Sequence, residues 1–430
     1  MSQHIIFRHA LLPDGWGENV GISIADGVIT EITTGQVGGQ GIALPGMPNL
    51  HSHSFQRAMA GRTEYRGSAT DSFWTWRQLM YRLALSLDPD DVQAIATLAF
   101  TEMLEAGFTS VAEFHYLHHT PDGTPYADIG EMAARLAAAA AATGIELLLL
   151  PVFYAHSGFG GQTPTEGQRR FINNIESYEK LYARCQQLSL TGCAPHSLRA
   201  ATLEEIRQLT ELNKTAPFHI HIAEQMAEVE ACLNFSGARP VEYLMANADV
   251  SSNWCLVHAT HINEAEALAM SRQKAVAGLC PITEANLGDG IFPARLFTGA
   301  YGVGSDSNVL IDAMRELQLL EYSQRFAQQQ RNVMASHKTP ATATALYHDA
   351  VTGGAQAMGL KNGLSVGAPA NFVTLDGEMP DQALASAVFT ARMPAIRDVW
   401  VRGRRVVENS QHYLAQKAQE GLTNVQRKRL

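Results

Sequence analysis

The chain has 430 residues, 46% of them apolar and 17% charged, and 42 acidic against 32 basic side chains give it a formal charge of −10. That length suggests two or three domains, or one large barrel with additions, and the acidity argues against a nucleic-acid surface or a patch for anionic membranes. No apolar stretch approaches the roughly 18 residues of a spanning helix, and MSQHIIFRHALLPDG lacks the basic start and apolar core of a signal peptide, so a cytoplasmic protein is expected.

The first 45 residues read as short strands and turns. HIIFRHALL, the PDGWG turn, VGISIADG and VITEITT alternate apolar and polar positions between Gly and Asp. Eight apolar runs follow: IALPGMPNL (42–50), TSVAEFH (109–115), ELLLLPVF (146–153), LTGCAPH (190–196), PFHIHIA (217–223), CLVHATH (255–261), AVAGLCPI (275–282) and YGVGSDS (301–307). Amphipathic stretches such as DDVQAIATLAFTEMLEAG, IGEMAARLAAAAAATG and TLEEIRQLTELN separate most of them and end near Gly or Asn, as helices do. Eight strand–helix units over roughly 250 residues predict a (β/α)8 barrel of the TIM type. The gap between the sixth and seventh strands leaves room only for a brief helix, NEAEALAMSRQ. Beyond residue 345 the strand style returns in ANFVTLDG, ASAVFTA and IRDVWVRGRRVVEN, and the closing NVQRKRL reads as a frayed, solvated tail. The expected organisation is a small β-sandwich from residues 1–45 and 362–430, and a barrel from 46–361.

Five cysteines, odd in number and never spaced CxxC, read as free buried thiols. Sixteen histidines are many for this length, and eight of them fall in the tight pairs His51/His53, His118/His119, His219/His221 and His258/His261. A barrel carries its chemistry at the C-terminal ends of its strands. There the chain presents His51 and His53, then His196 with Arg199, then His221 with Glu224, then His258, and finally Asp306. Residues two apart in an extended segment face one side, so His51 and His53 can converge on one ion. His221 is nearer the strand end than His219, for which a packed, hydrogen-bonded core position is expected. Glu224 stands far enough round the turn to carry protons beside an ion; the alternative is a helix N-terminal glutamate favoured by the dipole. His258 reads as a polarising group or proton donor, and His261 as a surface or capping residue. Asp306 offers an anionic ligand, although an Asp in a Gly/Ser loop is ordinarily a turn former. Three imidazoles and a carboxylate suit one borderline divalent ion, zinc first, with iron or manganese as alternatives, and hence metal-assisted hydrolysis.

This ordered set resembles the amidohydrolase superfamily over essentially the whole chain. No lysine stands at the fourth strand end, where binuclear members carry a carboxylated one, which points to the mononuclear, deaminase-like branch. The strings HSHSFQRAMAG, DSFWTWRQLMYRL, AEFHYLHH, GFGGQ, HSLRA, HIHIAEQ, LVHATH and TEANLGDGIFPA are similar to those of the formimidoylglutamate deiminases. The resemblance implies His51, His53, His221 and Asp306 as metal ligands, with Gln56, Arg77, Tyr116, His196, Arg199 and Glu224 contacting substrate. It also implies that a water attacks the formimino carbon of N-formimino-L-glutamate, with Asp306, His258 and Glu224 handling the protons and charge. A small dicarboxylate is therefore the expected partner, and a homodimer is compatible with the family but required by no residue. Arginines suit a dicarboxylate with a cationic head, although Arg77 reads equally well as a surface arginine. A purine, pyrimidine or thio-nucleoside deaminase is the rival expectation, and an inactive barrel scaffold a more distant one. The Gly-rich segment 157–174 is a candidate lid.

Overall fold

The computed structural model describes residues 2–66, 73–361, 363–390 and 395–430, and the side chains of Phe73 and Trp74 are not included. The expected boundary at residue 362 and the first two residues of DSFWTWRQLMYRL lie outside the described residues.

The chain opens with an antiparallel meander of β1 (Ser2–Leu12), β2 (Gly15–Ala25) and β3 (Val28–Thr33). Its alternating apolar positions pack Phe7, Val20, Ile22, Ile24 and Ile29 into one small core. Next, β4 (Ile42–Pro45) lies parallel to β1. The run IALPGMPNL, expected as one strand, is divided at Gly46, and only its second half, β5 (Met47–Ser52), enters the barrel. A Cβ at Gly46 would lie 2.2 Å from the Thr109 hydroxyl, so the crossing between the two sheets needs a residue without a side chain.

From β5 the chain alternates through α1 (Phe73–Ala84), α2 (Pro89–Glu105), β6 (Phe108–His115), α3 (Glu131–Thr143), β7 (Glu146–Phe153) and α4 (Ile175–Gln186). The fourth station is the short pair β8 (Leu190–Thr191) and β9 (Ala194–Pro195), followed by α5 (Leu203–Leu212) and β10 (Phe218–Ile222). Then come α6 (Met226–Ser236), α7 (Pro240–Asn247), β11 (Trp254–His258), α8 (Glu264–Gln273), β12 (Val276–Leu279), α9 (Pro281–Leu287), β13 (Tyr301–Val303), α10 (Ala313–Gln328) and α11 (Thr342–Met358). Two parallel sheets, β5–β6–β7–β8 and β10–β11–β12–β13, close on each other through Cys193 beside Phe218, Ser197 beside His221, and Ser52 beside Asp306. Eight parallel stations with helices outside make a (β/α)8 barrel. Its apolar strands are buried on both faces, as β6, β10, β11 and β12 are throughout. Helix α11 presses closely on β13, because a Cβ at Gly353 would sit 1.9 Å from the Tyr301 carbonyl oxygen.

The chain then returns to the first sheet. Strand β14 (Phe372–Leu375) pairs antiparallel with β4, after which β15 (Asp398–Val401), β16 (Arg404–Glu408) and β17 (Gln411–His412) extend it, so both ends of the chain build one sheet. Two expectations fail here. ASAVFTA lies mostly in a helix, α12 (Pro380–Phe389): Pro380 starts it, and Leu384, Ala387 and Val388 recur at helical spacing on its buried face. The tail is also helical, α13 (Ala415–Arg429). Leu422 and Val425 bury its inner face, and Lys428 and Arg429 bond Asp88 and Asp91 at the start of α2. Among the described residues, no helix is long and apolar enough to cross a membrane.

Candidate active site

The first donors come from β5. His51 is the second-last residue of this buried strand, and His53 follows directly after its end. Backbone bonds pin the last strand to this segment: the Asp306 N–H donates to the His51 carbonyl at 2.9 Å, and the His53 N–H to the Asp306 carbonyl at 2.9 Å. That approach depends on Gly304, where a Cβ would lie 2.7 Å from the His51 carbonyl oxygen. Behind the pair, the buried Glu113 carboxylate accepts the Ser52 hydroxyl at 2.8 Å and the Ser54 N–H at 2.7 Å. Burial pushes Glu113 up to about 7 against the pull of those bonds.

One ligand atom each from His51, His53, His221 and Asp306 lies within 4.8 Å of all the others. The Nε2 atoms of His51 and His53 are 3.2 Å apart, and each is 3.3–3.4 Å from Asp306 Oδ1. His53 uses Nδ1 toward the Phe114 carbonyl at 2.8 Å, and His221 uses Nδ1 toward the His196 carbonyl at 2.9 Å. Such bonds place the proton on Nδ1 and leave Nε2 bare toward the cluster, the arrangement of a metal-ligating histidine. Burial holds His51 down to about 3 and lowers His53 and His221 as well, so all three are neutral near neutral pH. For Asp306 burial acts upward, but the hydrogen bond from His51 and the charge of His258 outweigh it and keep the carboxyl ionised. Three neutral imidazoles facing one carboxylate in a dry site fit a divalent cation, toward which His53 and His221 would turn bare Nε2 atoms.

Beside this cluster, Glu224 and His258 stand at the ends of β10 and β11. His258 Nε2 lies 3.9 Å from both Glu224 Oε1 and Asp306 Oδ2. Burial would lower His258, yet the charges of Glu224, Glu284 and Asp306 raise it to about 10. Burial raises Glu224 to about 7, opposed chiefly by His258. The turn carrying Glu224 is held by the buried Glu228, which accepts the N–H groups of Ala223 and Glu224 at 3.2 and 3.3 Å. Ala223, His258, Ala259 and Asp306 all have positive φ, between 44° and 66°. Such backbone strain collects at sites where the surrounding structure over-determines it.

These groups open into one cavity, lined also by Gln56, Arg77, Tyr116, His196 and Arg199. The Gln56 amide donates to the Tyr116 hydroxyl at 2.9 Å, and the Arg77 guanidinium lies 5.5 Å from the Tyr81 ring centre. The candidate metal, catalytic and substrate residues named from the sequence thus meet here, His51 through the donor cluster and the rest on the cavity wall. His219 lies a layer deeper and bonds the Ala357 carbonyl at 2.8 Å, whereas His261, half-buried, bonds the Asp289 carbonyl at 2.8 Å. Sequence reasoning missed Trp76, Met80, Tyr81, Tyr154, Phe171 and Leu287 on the cavity wall, and Glu228, Glu284 and Asp289 behind it. For α1 no signal separates a cavity-lining aromatic from a packed one. For Glu284 and Asp289 the string TEANLGDG was visible, but it suggested no role. The segment 157–174 is anchored at its far end, where the fully buried Arg170 donates to the carbonyls of His119, Ala84 and Leu87.

A barrel with an ion-binding cluster at the C-terminal ends of its strands is the architecture of a metal-dependent hydrolase. The amidohydrolase family profile matches residues 42–406, and that of the formimidoylglutamate deiminase HutF N-terminal domain matches residues 3–41. Formimidoylglutamate deiminase of Pseudomonas aeruginosa is 48% identical over 95% of both chains. A 5-methylthioadenosine/S-adenosylhomocysteine deaminase of Shouchella clausii is 24% identical over 91% of this chain and 89% of its own. The crystal structure of an amidohydrolase from Brucella melitensis matches with a TM-score of 0.96 at 49% identity, covering 99% of each chain. The chain belongs to the amidohydrolase family, among its formimidoylglutamate deiminases.

Proposed function

We propose that the enzyme hydrolyses N-formimino-L-glutamate to N-formyl-L-glutamate and ammonia, as a cytoplasmic step of histidine degradation. The observation that carries this reading is one cavity holding an ion-binding cluster, a buried carboxyl beside it, and two arginines. An ion held by His51, His53, His221 and Asp306 supplies Lewis acidity and lowers the pKa of a water molecule toward neutrality. Zinc is the first choice for three imidazoles and a carboxylate, with iron and manganese next. Arg199 and Arg77 take the two substrate carboxylates, charge-assisted contacts that a net-acidic chain must build locally. Gln56, Tyr116 and His196 orient the formimino end. Glu224, poised near neutrality, accepts a proton from the attacking water and delivers it to the departing nitrogen, while Asp306 assists the first transfer. His258 faces the same point and stabilises the charge that develops at the tetrahedral carbon.

The test is ammonia release from N-formimino-L-glutamate by metal-replete protein, with the organic product weighed by mass spectrometry. Ammonia with N-formylglutamate, lost on chelation, supports the proposal. Formamide with glutamate would reverse the assignment of Glu224 to the ammonia nitrogen. No turnover would turn the question to nucleoside substrates like those named for the 24%-identical relatives.

A further inference from the structure

Among the buried carboxylates that the mechanism above leaves unused, Glu284 is the one bonded to His258. Glu284 lies in the first turns of α9, 5% exposed, and its Oε1 is 3.2 Å from Nδ1 of His258. The same oxygen accepts the Cys280 N–H at 2.8 Å, which folds the side chain back over the start of its helix and fixes where the carboxylate points. His258 sits at φ +66°, followed by Ala259 at +49°, so its backbone is strained and the ring orientation needs support.

We infer that Glu284 is a positioning residue for His258: by accepting a hydrogen bond from Nδ1–H it fixes the imidazole plane and leaves Nε2 as the nitrogen that faces Glu224 and Asp306. A ring with two unlike nitrogens needs such a partner, because a flip would turn a C–H edge toward the reacting centre. Glu284 itself does not line the cavity, so it acts on the reaction through His258 and not by touching substrate. The inference rests on the assignment of His258 to the reacting centre.

A kinetic double-mutant cycle tests it with Glu284→Gln, Glu284→Ala and His258→Asn. Loss of a charge-assisted, buried bond predicts a fall in kcat of about 10- to 100-fold for Glu284→Ala, with a smaller fall for Glu284→Gln, which keeps an accepting oxygen. KM and bound metal per chain stay near wild type in both. In the His258→Asn background, Glu284→Gln should cost nothing further. If Glu284→Ala does not fold, the Gln variant and the cycle carry the test alone. Independent, multiplying penalties would overturn the inference, as would a fall in metal content that accounts for the loss. If His258→Asn alone kept its kcat, the assignment of His258 would fail, and the inference with it.

Discussion

Replacing His115 by Gln should flatten the acid limb of the stability profile by an amount the structure sets. His115 ends β6, its ring 5.1 Å from the His118 ring and near the buried Arg170. Its Nε2 is buried without a hydrogen-bond partner. Burial first, and the Arg170 charge second, lower it from 6.5 to about 3. A histidine whose folded pKa is depressed leaves stability intact above the unfolded value and erodes it as pH falls below, because only the unfolded chain takes the proton. At about pH 5 the unfolded form gains about 2 kcal/mol from this one group, and near pH 4 about 3 kcal/mol. His118 and His119 are lowered in the same direction and steepen the wild-type limb. The assay is the urea midpoint of metal-loaded protein at a series of pH values from about 7.5 to 4.5. The variant loses whatever packing it loses at every pH, so the slope, not the offset, carries the information. Equal slopes in wild type and His115→Gln would refute the claim that this ring stays unprotonated in the folded state.

The remaining predictions concern the site and the chain end. Glu224→Gln should bind metal normally and lose roughly 100-fold or more of kcat, since general acid–base transfer contributes on that scale; near-native turnover would contradict the proton-carrier role. Arg199→Met removes a cation enclosed beside Glu228, Tyr154 and Glu224 and should lower kcat/KM by about 30-fold or more, mainly through KM, as loss of a buried charge partner does. An unchanged KM would send the carboxylate elsewhere. Lys428→Ala with Arg429→Ala unpairs Asp88 and Asp91 from the last helix. That partly exposed network should contribute little, and less still in high salt, so a large, salt-independent drop in melting temperature would mean that α13 is held by something else.

Much of the site could be read from the chain because each piece is local. HSH, HIHIAE, LVHATH and GVGSDS each follow a buried apolar run, and the end of a barrel strand is where such side chains face the mouth. What stayed hidden is what the chain assembles from far apart. Tyr81 and Trp76 enter the cavity because α1 crosses the barrel mouth, and helical periodicity cannot say what an aromatic face will meet. Glu284 looked like any helix glutamate until β11 and α9 brought it beside His258. The misread ends have a similar cause: ASAVFTA, with Val, Phe and Thr among its alanines, packs as a helix against α11, and the tail folds against α2, which offers it two carboxylates.

The residues alone, through apolar periodicity and the order of histidines and carboxylates, determined the barrel, the two-ended sheet and which side chains stand as candidate donors, since these follow from neighbours in sequence. Only the tertiary structure decided that four donor atoms fall within 4.8 Å of one another, which nitrogen each imidazole presents, and which buried glutamates stand behind them. Closure of the barrel brings Asp306 back to His51 across some 250 residues, and burial and neighbouring charges together then set their protonation. Neither distance nor desolvation is a property of a segment; both arise when strands from opposite ends of the chain share one dry interior.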